Sequence, residues 1–110
     1  MRGQVERFAI YLANLEPIRG AEIGKMRPVV VISHDVMNKN LDTVVVCPLT
    51  TRLHPGWRSR IQCKCAGRKA EVAVEQIRAI SKDRLVKRLD RLKPPLDAEL
   101  RSLIVEMYGS

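Results

Sequence analysis

Aromatic residues are scarce in this 110-residue chain, and their scarcity limits how the chain could hold a ligand. The sequence has one Phe, one Trp and two Tyr, together 4% of its residues. A sheet that grips several nucleic-acid bases by stacking needs more aromatic side chains than this. We therefore expect no extended stacking platform.

Long apolar runs are also lacking. No segment approaches the roughly 20 apolar residues of a membrane span. The N-terminal stretch "MRGQVERFAIYLANL" has neither the apolar block nor the small-residue cleavage site of a signal peptide. The chain is long enough for one small domain, which we place at residues 1–110, and we expect it to be cytoplasmic.

The common cofactor and metal motifs are missing as well. The sequence contains no GxGxxG, P-loop, Cys-x-x-Cys or His-Glu-x-x-His pattern. Cys63 and Cys65 would face the same side of a strand and, with His34 or His54, could form half a metal site. With Cys47 they are more simply read as ordinary thiols of a reducing compartment. We predict no metal and no cofactor.

Positive charge is abundant and unevenly placed. Residues 52–101 hold 14 of the 20 Lys and Arg residues and 6 of the 12 Asp and Glu residues, so they carry the whole net charge of +8. A basic half favours a polyanionic partner such as RNA, DNA or an acidic peptide. A solvated basic surface that only aids solubility is the simpler alternative.

The hydrophobic pattern predicts several short strands followed by one helix. Strands are expected at 7–14, 28–33, 43–49, 58–65 and, once or twice, within 69–80, while 86–92 is ambiguous. Ser81 is a plausible cap of a single helical turn. From residue 94 to 107 the apolar residues recur at the spacing of an α-helix. The fold class is therefore mainly β: a small, strongly bent antiparallel sheet or barrel with a C-terminal amphipathic helix.

Polar residues lie where the predicted strands meet long loops. Arg27 and Pro28 open the continuous apolar run "VVVI", and Thr50 closes "VVVCPL". Pro28 is expected to be the first residue of its strand, where it need not donate a hydrogen bond. Taken singly, Arg27 is most simply a surface cation and Thr50 a turn hydroxyl that bonds its own backbone.

Taken together, these segments carry a family resemblance. The stretches "YLANLEPIRGAEIGKMRPVVVIS", "VVVCPLTTR" and "AVEQIRAISKDRL", followed by the amphipathic helix, resemble the MazF/PemK family of toxin endoribonucleases from bacterial toxin–antitoxin pairs. The resemblance runs nearly end to end. It implies a small SH3-like barrel with a C-terminal helix, assembled as a homodimer.

The resemblance also implies a catalytic site. Arg27 matches the position of the family's catalytic arginine, and Thr50 that of its catalytic threonine. Glu22 matches a loop glutamate and is a candidate general base. The PemK/Kid branch has a loop histidine and an arginine where this chain has Ala21 and Ala73, so its histidine-based acid–base scheme is not carried over.

By the same resemblance, the expected activity is sequence-specific, metal-independent cleavage of single-stranded RNA, giving 2′,3′-cyclic phosphate and 5′-OH ends. An acidic, MazE-like antitoxin would inhibit it. The alternatives are a gyrase-poisoning toxin of the CcdB type and a non-catalytic barrel that binds RNA or peptide. The predicted RNA-binding residues are Lys25, His34, Thr51, Arg52, Glu75 and Gln76.

Overall fold

The computed structural model describes residues 4–15 and 25–109, and within these ranges it contains seven strands and two α-helices. The strands are β1 Ala9–Asn14, β2 Met26–Val31, β3 Thr43–Thr50, β4 Arg60–Cys65, β5 Arg68–Ala73, β6 Arg78–Ser81 and β7 Leu85–Arg91. The helices are α1 Asp35–Asn40 and α2 Leu96–Tyr108. Single 3-10 turns occupy Val74–Gln76 and Lys82–Arg84.

The antiparallel sheet bends around β3. Its strand order is β4-β5-β3-β2-β1-β7, and β6 also pairs with β3. The first part of β3 pairs with β6, its middle with β2 and its end with β5, so this one strand joins the two halves of the sheet. The predicted fold class, a strongly bent antiparallel sheet with a C-terminal helix, is confirmed.

Burial on both faces of β2 explains its unbroken apolar run. Val30 packs in the apolar cluster that also contacts α2. Val29 and Val31 point to the opposite face and pack in a second cluster around Tyr11. Since both faces of β2 are covered, a polar residue at any position of this run would be buried in one of the two clusters, so every position is apolar.

The C-terminal helix packs through the face that its periodicity predicts. Leu100 is fully buried, and Leu96, Leu103, Ile104 and Met107 pack partly buried on the first cluster. None of the described helices is both long enough and apolar enough to cross a membrane. The segment 86–92 proves to be mostly strand β7, and the Ser81 hydroxyl accepts a hydrogen bond from the Asp83 amide, as expected of a cap.

The three cysteines are buried, free thiols. Cys63 and Cys65 do face the same side of β4, and with Cys47 they contribute to the first apolar cluster. Burial raises the pKa of Cys47 to about 12 and that of Cys63 to about 11. At neutral pH these thiols therefore stay protonated and act as small apolar side chains.

One expectation about β2 was wrong. The strand begins at Met26, so Pro28 is its third residue rather than its first. Pro28 lies opposite Leu12 of β1, whereas pairing with β3 starts only at Val29. The missing N–H therefore costs no hydrogen bond to β3, and β2 can begin two residues earlier.

Candidate active site

The strand register brings Arg27 and Thr50 together. Val29 of β2 lies opposite Pro48 of β3, and Arg27 and Thr50 each lie two residues beyond this pair, at the same end of the two antiparallel strands. Both residues line one cavity of about 320 Å³, at the point where β2 begins and β3 ends. Two residues distant in sequence thus reach one site because their strands run in opposite directions.

This cavity, which we call the Arg27–Thr50 cavity, is positively charged. Besides Arg27 it is lined by two further cations, Arg68 and Lys69, from the start of β5, and by the hydroxyls of Thr50 and Thr51. None of the described residues that line it is acidic. Its chemistry suits a phosphate group.

Thr50 lies at the floor of the cavity, with only 8% of its surface exposed. Its Oγ1 accepts a hydrogen bond from the Arg52 amide at 3.1 Å. The interpretation of Thr50 as a turn hydroxyl is therefore confirmed, but this hydrogen bond uses only an acceptor position of the hydroxyl. Because the oxygen is the acceptor here, the hydroxyl proton stays available to donate to a bound anion.

Arg27 presents an exposed guanidinium at the rim. It is anchored by the pairing of its backbone position with Ala13 of β1. Within residues 4–15 and 25–109, no hydrogen bond or ion pair occupies its side chain. A cation held on a strand and left unneutralised by these residues can bind an anion from solution.

A buried carboxylate, which the sequence analysis did not single out, supports the loop after Thr50. Glu71 lies opposite Thr50 in the β3–β5 register and is fully buried. It accepts hydrogen bonds from the His54 amide at 2.8 and 2.9 Å, from Gln62 Nε2 at 2.6 Å and from Arg60 Nη1 at 3.0 Å. Burial tends to raise the pKa of Glu71, but these donors outweigh it and lower the pKa overall. Glu71 is an ionised anchor for the loop.

Arg60 completes this support from β4. Its side chain is 7% exposed, and besides Glu71 it contacts Glu75 through Nε and Nη2, at 3.0–3.1 Å. The guanidinium lies 4.7 Å from the ring centre of Trp57, which itself stacks on His54 with centroids 4.0 Å apart. Charge pairing and stacking together fix the shape of residues 51–59.

Comparison with known proteins places the chain in a family. The family model of PemK-like, MazF-like toxins of type II toxin–antitoxin systems matches residues 6–108. The chain belongs to this family. It is also 32% identical over 108 residues to the endoribonuclease MazF of Staphylococcus saprophyticus, covering 91% of this chain and 88% of that protein. The predicted class, a MazF-like endoribonuclease toxin, is thereby confirmed.

Solved structures of MazF proteins share the fold. MazF of Deinococcus radiodurans (crystal form I) superposes with a TM-score of 0.86 at 22% identity, covering 98% of this chain and 99% of that one. A MazE–MazF structure from the same organism gives 0.80 at 22% identity, with 97% of each chain covered. The Mycobacterium tuberculosis toxin MazF-mt6 gives 0.76 at 20% identity, with 91% and 95% covered.

Glu75 and Gln76, both predicted to bind RNA, are not among the residues that line the Arg27–Thr50 cavity. Glu75 is held by Arg60 and by the Ser59 hydroxyl at 2.7 Å. Burial tends to raise the pKa of Glu75, but these hydrogen bonds lower it overall. Gln76 borders a separate cavity of about 380 Å³. Ala73, the position at which the PemK/Kid branch of the family has its arginine, lies directly opposite Arg60.

The other predicted RNA-binding residues are spread over two regions. Lys25 and Arg52 are exposed, the first directly before β2 and the second two residues after Thr50. His34 caps α1 beyond the opposite end of β2, roughly 20 Å from Arg27 at the rise of an extended strand. Its role in RNA binding stays a prediction. Glu22, the candidate base, lies outside the described residues.

Proposed function

We propose that this PemK/MazF-family protein is a sequence-specific, metal-independent endoribonuclease that cuts single-stranded mRNA in the cytoplasm. The observation that carries the proposal is the cavity shared by Arg27 and Thr50, in which an exposed guanidinium and a hydroxyl donor flank a space lined by further cations. This arrangement binds a phosphodiester and stabilises charge that develops on its oxygens.

RNA supplies its own nucleophile for this reaction. The 2′-oxygen attacks the adjacent phosphorus, the bond from phosphorus to the 5′-oxygen breaks, and the departing 5′-oxygen takes up a proton from water. The products are a 2′,3′-cyclic phosphate and a 5′-OH. Arg27 neutralises the non-bridging oxygens through its planar fork of donors. Thr50 donates its hydroxyl proton to one of them. Glu22 is our candidate for the base that accepts the 2′-OH proton.

Cations near the cavity extend the proposed RNA path. Arg68 and Lys69 lie on one side of Thr50, and Arg52 follows it on the other. Such contacts neutralise backbone phosphates and lose strength as salt is added. Thr51 and Gln76 remain candidates for reading bases, together with Glu75. His34 lies beyond the opposite end of β2 from Arg27, so we expect it to contact a different nucleotide.

We also propose that an acidic segment of a MazE-like antitoxin inhibits the enzyme. MazE–MazF complexes are among the structures that share this fold. The Arg27–Thr50 cavity attracts carboxylates for the same reason that it attracts phosphates. An acidic chain bound there would exclude RNA.

The proposed chemistry predicts that cleavage needs no added metal. Purified protein incubated with a long single-stranded RNA in EDTA should still cut it, because the nucleophile is the 2′-OH and the charge is stabilised by Arg27. The cut ends should be 2′,3′-cyclic phosphate and 5′-OH. Deoxy substitution of the nucleotide before the cut, with the rest of the RNA unchanged, should abolish cleavage. A requirement for Mg²⁺, or 5′-phosphate ends, would overturn the mechanism.

We further expect a homodimer. The exposed apolar side chains Val36, Met37 and Leu41 lie on or directly after α1, and such a cluster commonly marks a contact surface. Light scattering at micromolar concentration should give twice the 12.5 kDa of one chain. Met37→Asp should shift the mass toward one chain, whereas Lys82→Asp should not. A single-chain mass for the unmodified protein would contradict the expectation.

A further inference from the structure

The backbone of Arg52 is held on both sides of its α-carbon. On one side its amide donates to Thr50 Oγ1 at 3.1 Å. On the other side its carbonyl accepts a hydrogen bond from Arg60 Nη1 at 3.4 Å. The Arg60 guanidinium is therefore connected, through the backbone of a single residue, to the hydroxyl that the proposed reaction uses.

Arg60 is itself fixed in one orientation. Nη1 also donates to Glu71 Oε1 at 3.0 Å, while Nε and Nη2 contact the Glu75 carboxylate at 3.0–3.1 Å. The guanidinium carbon lies over the Trp57 ring. A planar fork whose three nitrogens all have partners cannot turn without breaking several of these contacts at once.

Glu71 adds a further restraint on the same segment. It lies directly opposite Thr50 in the β3–β5 register, and its carboxylate accepts hydrogen bonds from the His54 amide. A buried ion pair is by itself a weak source of stability, because desolvation of both ions offsets much of their attraction. What the pair of Arg60 and Glu71 provides is geometry, since it ties the backbone at Arg52 and at His54 to the two strands β4 and β5.

Neither member of this pair is placed to contact RNA. The Arg60 side chain is only 7% exposed and that of Glu71 is fully buried. Neither residue is among those that line the Arg27–Thr50 cavity. Any effect of the pair on cleavage must therefore act through the segment that it holds.

We propose that Arg60 and Glu71 are positioning residues for RNA cleavage, a role that rests on the proposed function. Arg60 holds the Arg52 carbonyl, which keeps the Arg52 amide on Thr50 Oγ1. With that oxygen used as an acceptor, the hydroxyl proton is left to point into the cavity. Displacing a group in the site by about 1 Å is enough to slow a reaction by roughly 10²-fold.

Arg60→Lys tests this role. The lysine keeps a positive charge near Glu71, but its single ammonium cannot replace the fork that joins Glu71, Glu75 and the Arg52 carbonyl. Single-turnover cleavage is measured against protein concentration, at a temperature where melts show every variant fully folded. The rate at saturation should fall roughly tenfold or more, whereas the concentration for half-saturation should stay within about twofold.

Arg58→Lys is the matched control, because it makes the same substitution at an exposed arginine two residues away. It should leave both quantities within about twofold of the wild type. If Arg60→Lys does not fold, Glu71→Gln takes its place, since glutamine keeps an oxygen for the His54 amide but loses the charge that pairs with Arg60. The same fall in the saturated rate is expected.

Two further readouts separate positioning from a general structural role. In Arg60→Lys the Arg52 amide should exchange its hydrogen faster by NMR, while the amide of Val30 in the core of β2 should be unchanged. When Thr50 is replaced by alanine, adding Arg60→Lys should slow cleavage little further, because the group being positioned is gone.

Three results would overturn the positioning role alone. These are a saturated rate in folded Arg60→Lys within twofold of the wild type, a change only in half-saturation, and losses that multiply when Arg60→Lys is combined with Thr50→Ala. The second would mean that Arg60 acts on RNA binding. Absence of cleavage by the unmodified protein would instead overturn the proposed function, and the positioning role with it.

Discussion

Arg27→Ala should slow single-turnover RNA cleavage by about 10²–10³-fold, the usual cost of removing a preorganised donor from a developing oxyanion. The fold should be unaffected, because the side chain of Arg27 is exposed and no described residue is bonded to it. Thr50→Ala should slow cleavage as well, through loss of the hydroxyl donor. Cleavage rates measured at saturating protein, together with circular dichroism melts, check both results.

Arg52→Ala is the matched control for Arg27→Ala. It removes the same charge two residues beyond Thr50, outside the Arg27–Thr50 cavity. It should mainly weaken RNA binding, with an effect that shrinks as salt is added. If Arg27→Ala cleaves at a near-normal rate with an intact fold, the catalytic assignment is wrong. Cleavage would then depend on residues other than Arg27.

The second large effect concerns stability. Arg60→Met should lower the free energy of unfolding by about 3–5 kcal/mol at neutral pH, because it leaves the Glu71 carboxylate buried without its cation. Urea denaturation measures this directly. Arg58→Met is the control, since Arg58 pairs with Glu106 at an exposed position where 88% of the arginine side chain is accessible. That change should cost less than about 1 kcal/mol.

The pH dependence of this effect has a definite sign. The folded-state pKa of Glu71 lies below its ordinary value of 4.5. Its ionisation therefore contributes stability that is fully present above the unfolded pKa and is lost as pH falls through the folded value. In Arg60→Met the pKa of Glu71 should rise, so the difference between the two proteins should shrink as acid is added below about pH 4.5. A difference that stays constant with pH would mean that the cost is only lost packing.

The fold could be predicted largely from local patterns. The run Val29–Ile32 indicated a strand buried on both faces, and the helical spacing of Leu96, Leu100 and Leu103 indicated one packed face. Both patterns follow from which faces of a strand or helix are buried, and the positions of the apolar residues in the sequence show this directly. The start of β2 at Met26 was missed because pairing with β1, rather than the position of Pro28, decides it.

The candidate site was only partly predictable. Arg27 and Thr50 could be predicted because each lies at one end of a strand, beside a loop, and each matches a family motif. Glu71 and Arg60 were missed because their pairing depends on the β4–β5 register, which composition does not reveal. A lone glutamate among apolar residues of "KAEVAV" was the available signal, since a carboxylate in a buried strand needs a cation.

The central claim is that Arg27 and Thr50 act on one phosphate, and a double-mutant cycle tests it most directly. Single-turnover cleavage is measured for the wild type, Arg27→Ala, Thr50→Ala and the double variant, all with melts that show an intact fold. If both side chains stabilise the same developing charge, the double variant should lose far less than the product of the two single losses. Losses that simply multiply, or a near-normal rate in either single variant, would contradict a shared site.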